Sequence, residues 1–559
     1  MKMIKKIFKF LGFSLLILIV ILVTLFTYIH FRSQIEYPTV DKAKFENLVR
    51  EKVGENHYRI GNNWLKLNEY GVWEMYIEGD PYERGVIYGK LAEELVQKHE
   101  DYFIAQIDKL IPSRFFFNFL RVMIGWFNKD IDKHITTEYQ QEIYGVSQSF
   151  SNEYDILGDK YLRVLNYHAA HDIGHALADY AIVGCTSFSV NNEFSADSSL
   201  LIGRNFDFYM GDDFAKNKLV TIVNPTDGYQ FLMYSWAGLM GVVSGMNEKG
   251  LTVTLNASKS DLPKESKTPI SILAREILQY ASTIDEAIAI AKKRETFVSE
   301  SLMIGSAIDN RTVLIEKTPL SQDVFVSETD IVVCSNHYQS KLFANDSINL
   351  WNIKNSDSEN RRLRVNKLLD EKMPLDINEA VSILRDQKSL EGKDIGMGNP
   401  KSVNQLLAHH SIIFKPSQDL VWISTPPYQL GNFIAYNVKD IGPKSDQNKV
   451  NIVNLTLPAD TFLQTEAYKN FEKFKLIKHK IFDFVNVGIE TTLSKEEILT
   501  YINSNPNSYI TYLTLGDYHF KKGDIENAKN SYNAALVKNV SSIIEEEVIK
   551  KKIALCLKK

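Results

Sequence analysis

Residues 10–29 carry no charged side chain, and Lys2, Lys5, Lys6 and Lys9 lie just ahead of them. About twenty apolar residues at helical rise match a bilayer core, so this run reads as a transmembrane helix. The basic flank predicts a cytoplasmic N-terminus, with everything after Arg32 on the extracytoplasmic side. No small-x-small cleavage site follows, which favours a retained single-pass anchor over a cleaved signal peptide. Residues 33–72 then read as a membrane-proximal stem of mixed polarity.

From Trp73 the pattern predicts a strand, a turn at Gly79-Asp80-Pro81, and a helix carrying Arg84, Gly85 and Gly89. Two glycines four apart share a helix face and admit another backbone at close range. Amphipathic helical patterns continue to about residue 180. Beyond Gly184 the period shortens. Runs at 200–202, 219–223, 230–234 and 251–255 predict strands. Helices follow over 270–282 and 284–293, then strands at 302–308, 312–316 and 331–334. A helix over 359–371 precedes a strand pair around 412–414 and 420–424. Strands and helices in separate blocks indicate α+β layers rather than a doubly wound parallel sheet.

The tail changes again. Tyr512, Leu515, Gly516, His519, Ala528, Tyr532 and Ala535 fall on tetratricopeptide (TPR) spacing around a turn at Lys522-Gly523-Asp524. An ordinary helical hairpin fits the same pattern. One repeat cannot bury its own face, so it packs on the domain or offers a surface to a protein partner. The organisation read from these changes is 1–32 basic tail and anchor, 33–72 stem, 73–184 helical pro-region, 185–440 catalytic domain, and 441–559 linker and TPR-like helical tail.

A chain of 559 residues needs more than one core. Its 44% hydrophobic and 24% charged content is that of a globular protein, and a net charge of −5 argues against a general nucleic-acid surface. Three cysteines, Cys185, Cys334 and Cys556, without short spacing exclude a disulfide framework and a zinc knuckle. A monomer therefore keeps at least one free thiol. His168, His171 and His175 share a helix face and could hold zinc, but satisfied helix contacts are the simpler reading; no metal and no cofactor is expected.

The chemistry centres on Gly184-Cys185-Thr186-Ser187-Phe188-Ser189-Val190, followed by Gly203-Arg204-Asn205-Phe206-Asp207-Phe208. Taken alone, Cys185 reads as a buried structural thiol. Its position argues otherwise, because it starts a strand directly behind a glycine that leaves the preceding carbonyl unobstructed. Arg204 beside a thiol favours thiolate, and Asp207 can hold a protonated amine. If the chain is cut before Cys185, the new α-amine titrates at about 7.7–8.0 and suits proton transfer.

These segments resemble the cysteine N-terminal nucleophile (Ntn) hydrolases, a group that includes isopenicillin N acyltransferase, choloylglycine hydrolase and acid ceramidase. The acyl-coenzyme A:6-aminopenicillanate acyltransferase-like branch fits best, because its Gly-x-Pro-Tyr-Glu-x-Gly-x-x-x-Gly pattern is matched by Gly79, Pro81, Tyr82, Glu83, Gly85 and Gly89. The resemblance implies a four-layer αββα sandwich of two antiparallel sheets between helices. It also implies self-cleavage between Gly184 and Cys185, with Cys185 then the catalytic nucleophile and Arg204 and Asp207 flanking the thiol and amine. The segment 245–251 resembles the turn before the oxyanion strand, and Asn256 falls where the family places an oxyanion amide. Cys334-Ser335-Asn336-His337 resembles the family's Thr-Asn-His segment, so Asn336 matches a second active-site asparagine. Asp357-Ser358-x-x-Arg361 resembles a Ser-x-x-Arg motif, with Arg361 supporting the site. Simpler readings stand beside these: Asn256 as a turn amide within an Asn-Ala-Ser glycosylation pattern, Arg204 and Asp207 as a surface pair, Cys334 as a buried thiol.

The expected activity is hydrolysis of a linear amide of a small acyl-amide substrate, or transfer of its acyl group. An extracytoplasmic site disfavours acyl-coenzyme A as donor, and hydrolysis is preferred. Two alternatives belong to other classes. One is a papain-like protease pairing Cys185 with His337 or His409 and needing no self-cleavage; the other is a non-catalytic membrane scaffold acting through its tail.

Overall fold

The structure, a computed structural model, describes residues 2–32, 35–45, 47–111, 113–177, 183–260, 263 and 265–558. In chain order its strands are β1 (Glu51–Gly54), β2 (His57–Ile60), β3 (Asn63–Leu67), β4 (Trp73–Gly79), β5 (Val183–Val190) and β6 (Leu201–Phe208). Then come β7 (Lys218–Pro225), β8 (Phe231–Trp236), β9 (Ser244–Asn247), β10 (Leu251–Ala257), β11 (Glu300–Ser306), β12 (Arg311–Lys317) and β13 (Gln322–Phe325). The last are β14 (Ile331–Cys334), β15 (His410–Lys415), β16 (Leu420–Ser424), β17 (Phe433–Asn437) and β18 (Ile452–Leu457). The helices before β5 are α1 (Lys2–Arg32), α2 (Pro81–Leu91), α3 (Glu93–Leu110), α4 (Arg114–Phe127), α5 (Thr137–Ser147) and α6 (Lys160–Leu177). Between β10 and β15 lie α7 (Ile270–Tyr280), α8 (Ile284–Lys293), α9 (Ser347–Asn355), α10 (Ser358–Lys372) and α11 (Ile377–Leu384). The tail holds α12 (Glu466–Phe482), α13 (Lys495–Ser504), α14 (Tyr509–Lys522), α15 (Ile525–Leu536) and α16 (Ile543–Cys556).

The strands form two sheets, one ordered β1-β2-β3-β4-β7-β8-β9-β10-β11-β12-β13 and the other β14-β5-β6-β15-β16-β17-β18. Three cores separate the layers. Ile202, Cys334, Ile412 and Ile423 of the second sheet meet Tyr76, Val220, Tyr234 and Met303 of the first in a core between the sheets. Outside the first sheet, Tyr88, Ile143, Leu165 and Ile277 from α2, α5, α6 and α7 pack on Met75, Val223 and Val253. Outside the second, Val365 and Leu369 of α10 and Ile383 of α11 pack on Phe188, Leu201 and Ile413. The mixed α and β character expected from the segregated pattern is what forms.

The first sheet reaches back across the start of β5. β4 pairs in parallel with β7, from Trp73 opposite Leu219 to Gly79 opposite Pro225. Residues expected in the stem also join it, as β1–β3. The glycine face of α2 does what its spacing predicts. A Cβ on Gly85 would sit 2.1 Å from the Glu142 carbonyl oxygen, so α2 and α5 touch backbone to backbone. Glu142 beside this contact is buried but takes Arg84 at 2.9 Å and Arg275 at 3.2 Å, which satisfies the charge.

One expectation fails and a second finds no support. α1 forms, but among the described residues no helix is long and apolar enough to cross a membrane. The four lysines lie inside the helix rather than before it, and its far end packs on α4, where the rings of Tyr28 and Trp126 are 5.9 Å apart. The single-pass membrane anchor and the extracytoplasmic placement built on it therefore do not hold. The tail is a helical hairpin, closed by Gly516 against the Tyr532 ring and by the left-handed Gly523 between α14 and α15. Its core joins α14, α15 and α16 to one another, the ordinary burial of a hairpin, and nothing supports a TPR repeat or a protein partner on it.

Candidate active site

β5 and β6 pair antiparallel, with Gly184 opposite Asp207, Cys185 opposite Phe206 and Ser187 opposite Arg204. Opposed residues share a sheet face and successive ones alternate. Cys185, Ser187, Arg204 and Phe206 therefore face the first sheet, while Gly184, Thr186, Asn205 and Asp207 face α10 and α11. Arg204 and Asp207, three apart, lie on opposite faces, so only Arg204 shares the thiol's side.

Arg204 Nη2 donates to Cys185 Sγ at 3.6 Å and to the Leu255 carbonyl at 2.5 Å, and Nη1 donates to Ser244 Oγ at 2.5 Å. Its guanidinium lies over the Phe206 ring, 4.2 Å from the centroid. Cys185 is buried, and burial pushes its thiol up to about 11 despite Arg204, with Asp207 and Glu300 adding to the rise. In the uncut chain the sulphur is thus a neutral thiol. Asp207 is also buried, which raises its carboxyl to about 8 against the pull of Arg361 and Arg204. Gln405 Nε2 donates to Asp207 Oδ2 at 3.3 Å, and Oδ1 has no hydrogen-bond partner among the described residues.

The backbone nitrogen of Cys185 donates to Asn336 Oδ1 at 3.0 Å. Arg361 ties that group together: Nη1 donates to the Cys185 carbonyl at 2.6 Å and Nη2 to Asn336 Oδ1 at 2.7 Å. Asp357 holds the same guanidinium at 3.0 Å. Asn336 Nδ2 donates to the Ala257 carbonyl at 2.8 Å, and its backbone nitrogen to Ser358 Oγ at 2.7 Å. Asn256 lies one shell further out. Its oxygen accepts from Ser187 Oγ at 2.8 Å, and its amide nitrogen donates to the carbonyls of Cys334 and Ser335, both at 3.3 Å.

The structure thus brings Cys185, Arg204, Asp207, Asn336 and Arg361 together and sets Asn256 behind Ser187. Residues without a local sequence signal join them. Ser244 links Arg204 to His410 Nε2 at 2.9 Å, and His410 Nδ1 meets His409 Nδ1 at 2.8 Å. Gln405 arrives from a loop far along the chain. Neither His337 nor His409 partners the sulphur. His337 is bound to Ser358 Oγ at 2.8 Å and Glu359 at 3.2 Å, which leaves the papain-like pairing without its base. His168 bonds the Val164 carbonyl and accepts from Met240 N, both at 2.8 Å, so it is a satisfied helix contact. The side chains of His171 and His175 lie outside the described residues. Cys334 is buried in the core between the sheets.

A buried thiol near the start of a strand, with an arginine on its sulphur and an asparagine on its amide nitrogen, defines a thiol-centred site in a layered α and β body. Residues 194–426 match the sequence model of the acyl-coenzyme A:6-aminopenicillanic acid acyl-transferase family, which begins just past Cys185 and takes in the other site residues. The match agrees with the resemblance to the Ntn hydrolases read from the sequence motifs. An uncharacterised protein of Archaeoglobus fulgidus is 24% identical over 253 residues, 42% of this chain and 41% of that protein. The N-acylethanolamine-hydrolyzing acid amidase of Caenorhabditis elegans is 24% identical over 246 residues, 40% of this chain and 62% of that enzyme. The solved structure of a Caenorhabditis elegans ortholog of that amidase is 18% identical, covering 42% of this chain and 93% of that one, with a TM-score of 0.31. The chain thus spans less than two thirds of the length of these two curated relatives.

Proposed function

We propose that this chain is a self-processing cysteine amidohydrolase that opens a linear amide through Cys185 or passes its acyl group to an amine. The observation that carries the reading is the environment of one residue: Arg204 on the Cys185 sulphur and Asn336 on its backbone nitrogen. In the first stage Sγ attacks the Gly184 carbonyl carbon, the C–N bond to Cys185 breaks, and the thiol proton passes to that nitrogen. Water then hydrolyses the thioester, leaving a carboxylate on Gly184 and a free thiol and amine on Cys185. Residues 73–184 become an α-chain and 185–440 the catalytic chain. The parallel pairing of β4 with β7 supports their staying together, since it bridges the cut.

In turnover the thiol adds to a substrate amide and its own amine carries the proton to the leaving nitrogen. Asp207, facing Gly184 at the strand end, holds that amine when protonated, and Arg204 stabilises the thiolate. Asn336 is the nearer oxyanion donor; Asn256 serves only if its amide leaves the Cys334 and Ser335 carbonyls. The amidase relative supports an N-acyl amide as substrate class. With the extracytoplasmic placement gone, nothing in the location of the site disfavours an activated acyl donor. Intact-mass measurement and N-terminal sequencing of purified protein test the reading. Two chains are expected, the second beginning at Cys185, with release of amine from an N-acyl amide lost in Cys185→Ala. A single uncut, active chain would overturn it.

A further inference from the structure

The glycine before the nucleophile is confined by one side chain. A Cβ built on Gly184 would lie 2.6 Å from Gln405 Nε2, 3.3 Å from Oε1 and 3.4 Å from Cδ, its three nearest neighbours. The φ of Gly184 lies outside the left-handed range, so its backbone accepts any L-residue. The end of a glutamine can swing aside, and an alanine there need not unfold the protein. It must, however, take Gln405 off Asp207, because the same Nε2 donates to Asp207 Oδ2 at 3.3 Å. That is the only bond of the carboxylate among the described residues; Oδ1 has none.

Gln405 is buried and its loop is pinned at the other end. Met397 N donates to Asn505 Oδ1 and Asn399 Nδ2 to the Asn539 carbonyl, both at 2.9 Å. The helical tail therefore holds the loop that aims Gln405 at the strand pair.

We propose that Gln405 is a positioning residue for both self-cleavage and turnover, and that position 184 is kept glycine because any side chain there displaces the Gln405 amide from Asp207. The inference rests on the self-processing reading above. It is tested in the full-length chain with Gly184→Ala, Gln405→Met and the double variant, following cleavage before Cys185 by mass. Each single change is expected to slow cleavage roughly 10- to 100-fold above about pH 8, where Asp207 is charged, the loss of one hydrogen bond to a charged group. Because both act through one contact, the double variant is expected to be no slower than the slower single one. Once cut, Gln405→Met is expected to stay slow in turnover. The acid limb of the Gln405→Met cleavage profile moves to higher pH, since a carboxylate without its donor charges less readily; the charged and titratable groups that act on it are Arg361 and Asp357, with Arg204 and Cys185 through the strand pair. Should Gln405→Met fail to fold, Gln405→Glu, equal in shape but without the amide donor, must be at least as slow. Multiplying effects in the double variant, or a Gln405→Met that cuts and turns over normally, would overturn the proposal. A wild-type chain left uncut sinks the self-processing reading instead, a distinct outcome.

Discussion

The side-chain oxygen of Asn336 accepts a hydrogen bond from the backbone nitrogen of Cys185 at 3.0 Å. That nitrogen is the atom which self-cleavage would turn into an amine, so the contact sits on the one bond the proposed reaction must break. Arg361 fixes the geometry from the other side, holding both Asn336 Oδ1 and the Cys185 carbonyl.

Replacing Asn336 by alanine removes the acceptor for a buried N–H and the donor for the Ala257 carbonyl. Two buried backbone groups left unpaired cost about 1–3 kcal/mol each. The larger effect is expected on chemistry. If Asn336 also serves the oxyanion, kcat/KM should fall by roughly 100- to 1000-fold, while the melting temperature drops by only a few degrees. Measuring both on one preparation separates the two. Activity falling only in step with folded protein would deny Asn336 a chemical role.

Arg204 reaches the sulphur because three other groups hold it: Ser244 Oγ, the Leu255 carbonyl and the Phe206 ring. A lysine cannot meet all of them with one ammonium. Arg204→Lys should therefore lose most activity, and Ser244→Ala, which frees one buried guanidinium N–H, an intermediate share of about tenfold or more. The rate of iodoacetamide modification against pH gives the check. Both variants should shift the thiol's apparent pKa upward relative to the parent; an unchanged profile would mean that Arg204 does not tune the sulphur.

Much of this was legible along the chain, for reasons that differ element by element. The helix predicted at 284–293 forms as Ile284–Lys293, because Thr283 and Glu286 make a full capping box at its start. The strand predicted at 331–334 forms as Ile331–Cys334 because an apolar run of that length is buried on both faces. β1–β3 were missed because they are short, and the first is almost wholly exposed, so no apolar alternation marks them. Arg204 and Asp207 read from the sequence as a pair flanking the thiol and the amine; residues three apart on a strand face opposite ways, so only Arg204 shares the face of the sulphur. Gln405, Ser244 and His410 left no local signal at all. Their importance comes from partners brought together only by the fold, as when His410 meets Ser244 across the two sheets.

The close contact of α2 with α5 makes a prediction about stability alone. A Cβ on Gly145 would lie 2.6 Å from the Val86 backbone nitrogen, and one on Gly85 2.1 Å from the Glu142 carbonyl. The obstacles are backbone atoms that cannot rotate away, so the helices must separate around the buried Arg84–Glu142–Arg275 group. Gly85→Ala and Gly145→Ala should each cost at least about 1–3 kcal/mol, the usual range for overpacking. Denaturant unfolding followed by circular dichroism checks this, and a variant as stable as the parent would mean that the contact is looser than described. Gly61, with nothing near its Cβ but a positive φ, offers a contrast: alanine there meets backbone strain without a clash and should cost less.

The last prediction concerns the charge of Asp207 before the chain is cut. Burial raises its carboxyl from 3.8 to about 8, so the native uncut chain holds a proton that the unfolded chain releases near pH 4. Between those values the folded state binds more protons, and the contribution of Asp207 to stability falls as pH rises, by at most about 1.4 kcal/mol per unit. Cys185→Ala keeps the chain uncut and serves as parent. Adding Asp207→Asn removes the titration, so the melting-temperature difference, double variant minus parent, should grow more positive from pH 5 to pH 8 and level off above. A flat difference, or one that moves the other way, would mean that the carboxylate is already charged and stabilised in the intact chain. Cleavage should abolish the trend, since the new ammonium on Cys185 gives the carboxylate a partner and draws its pKa down.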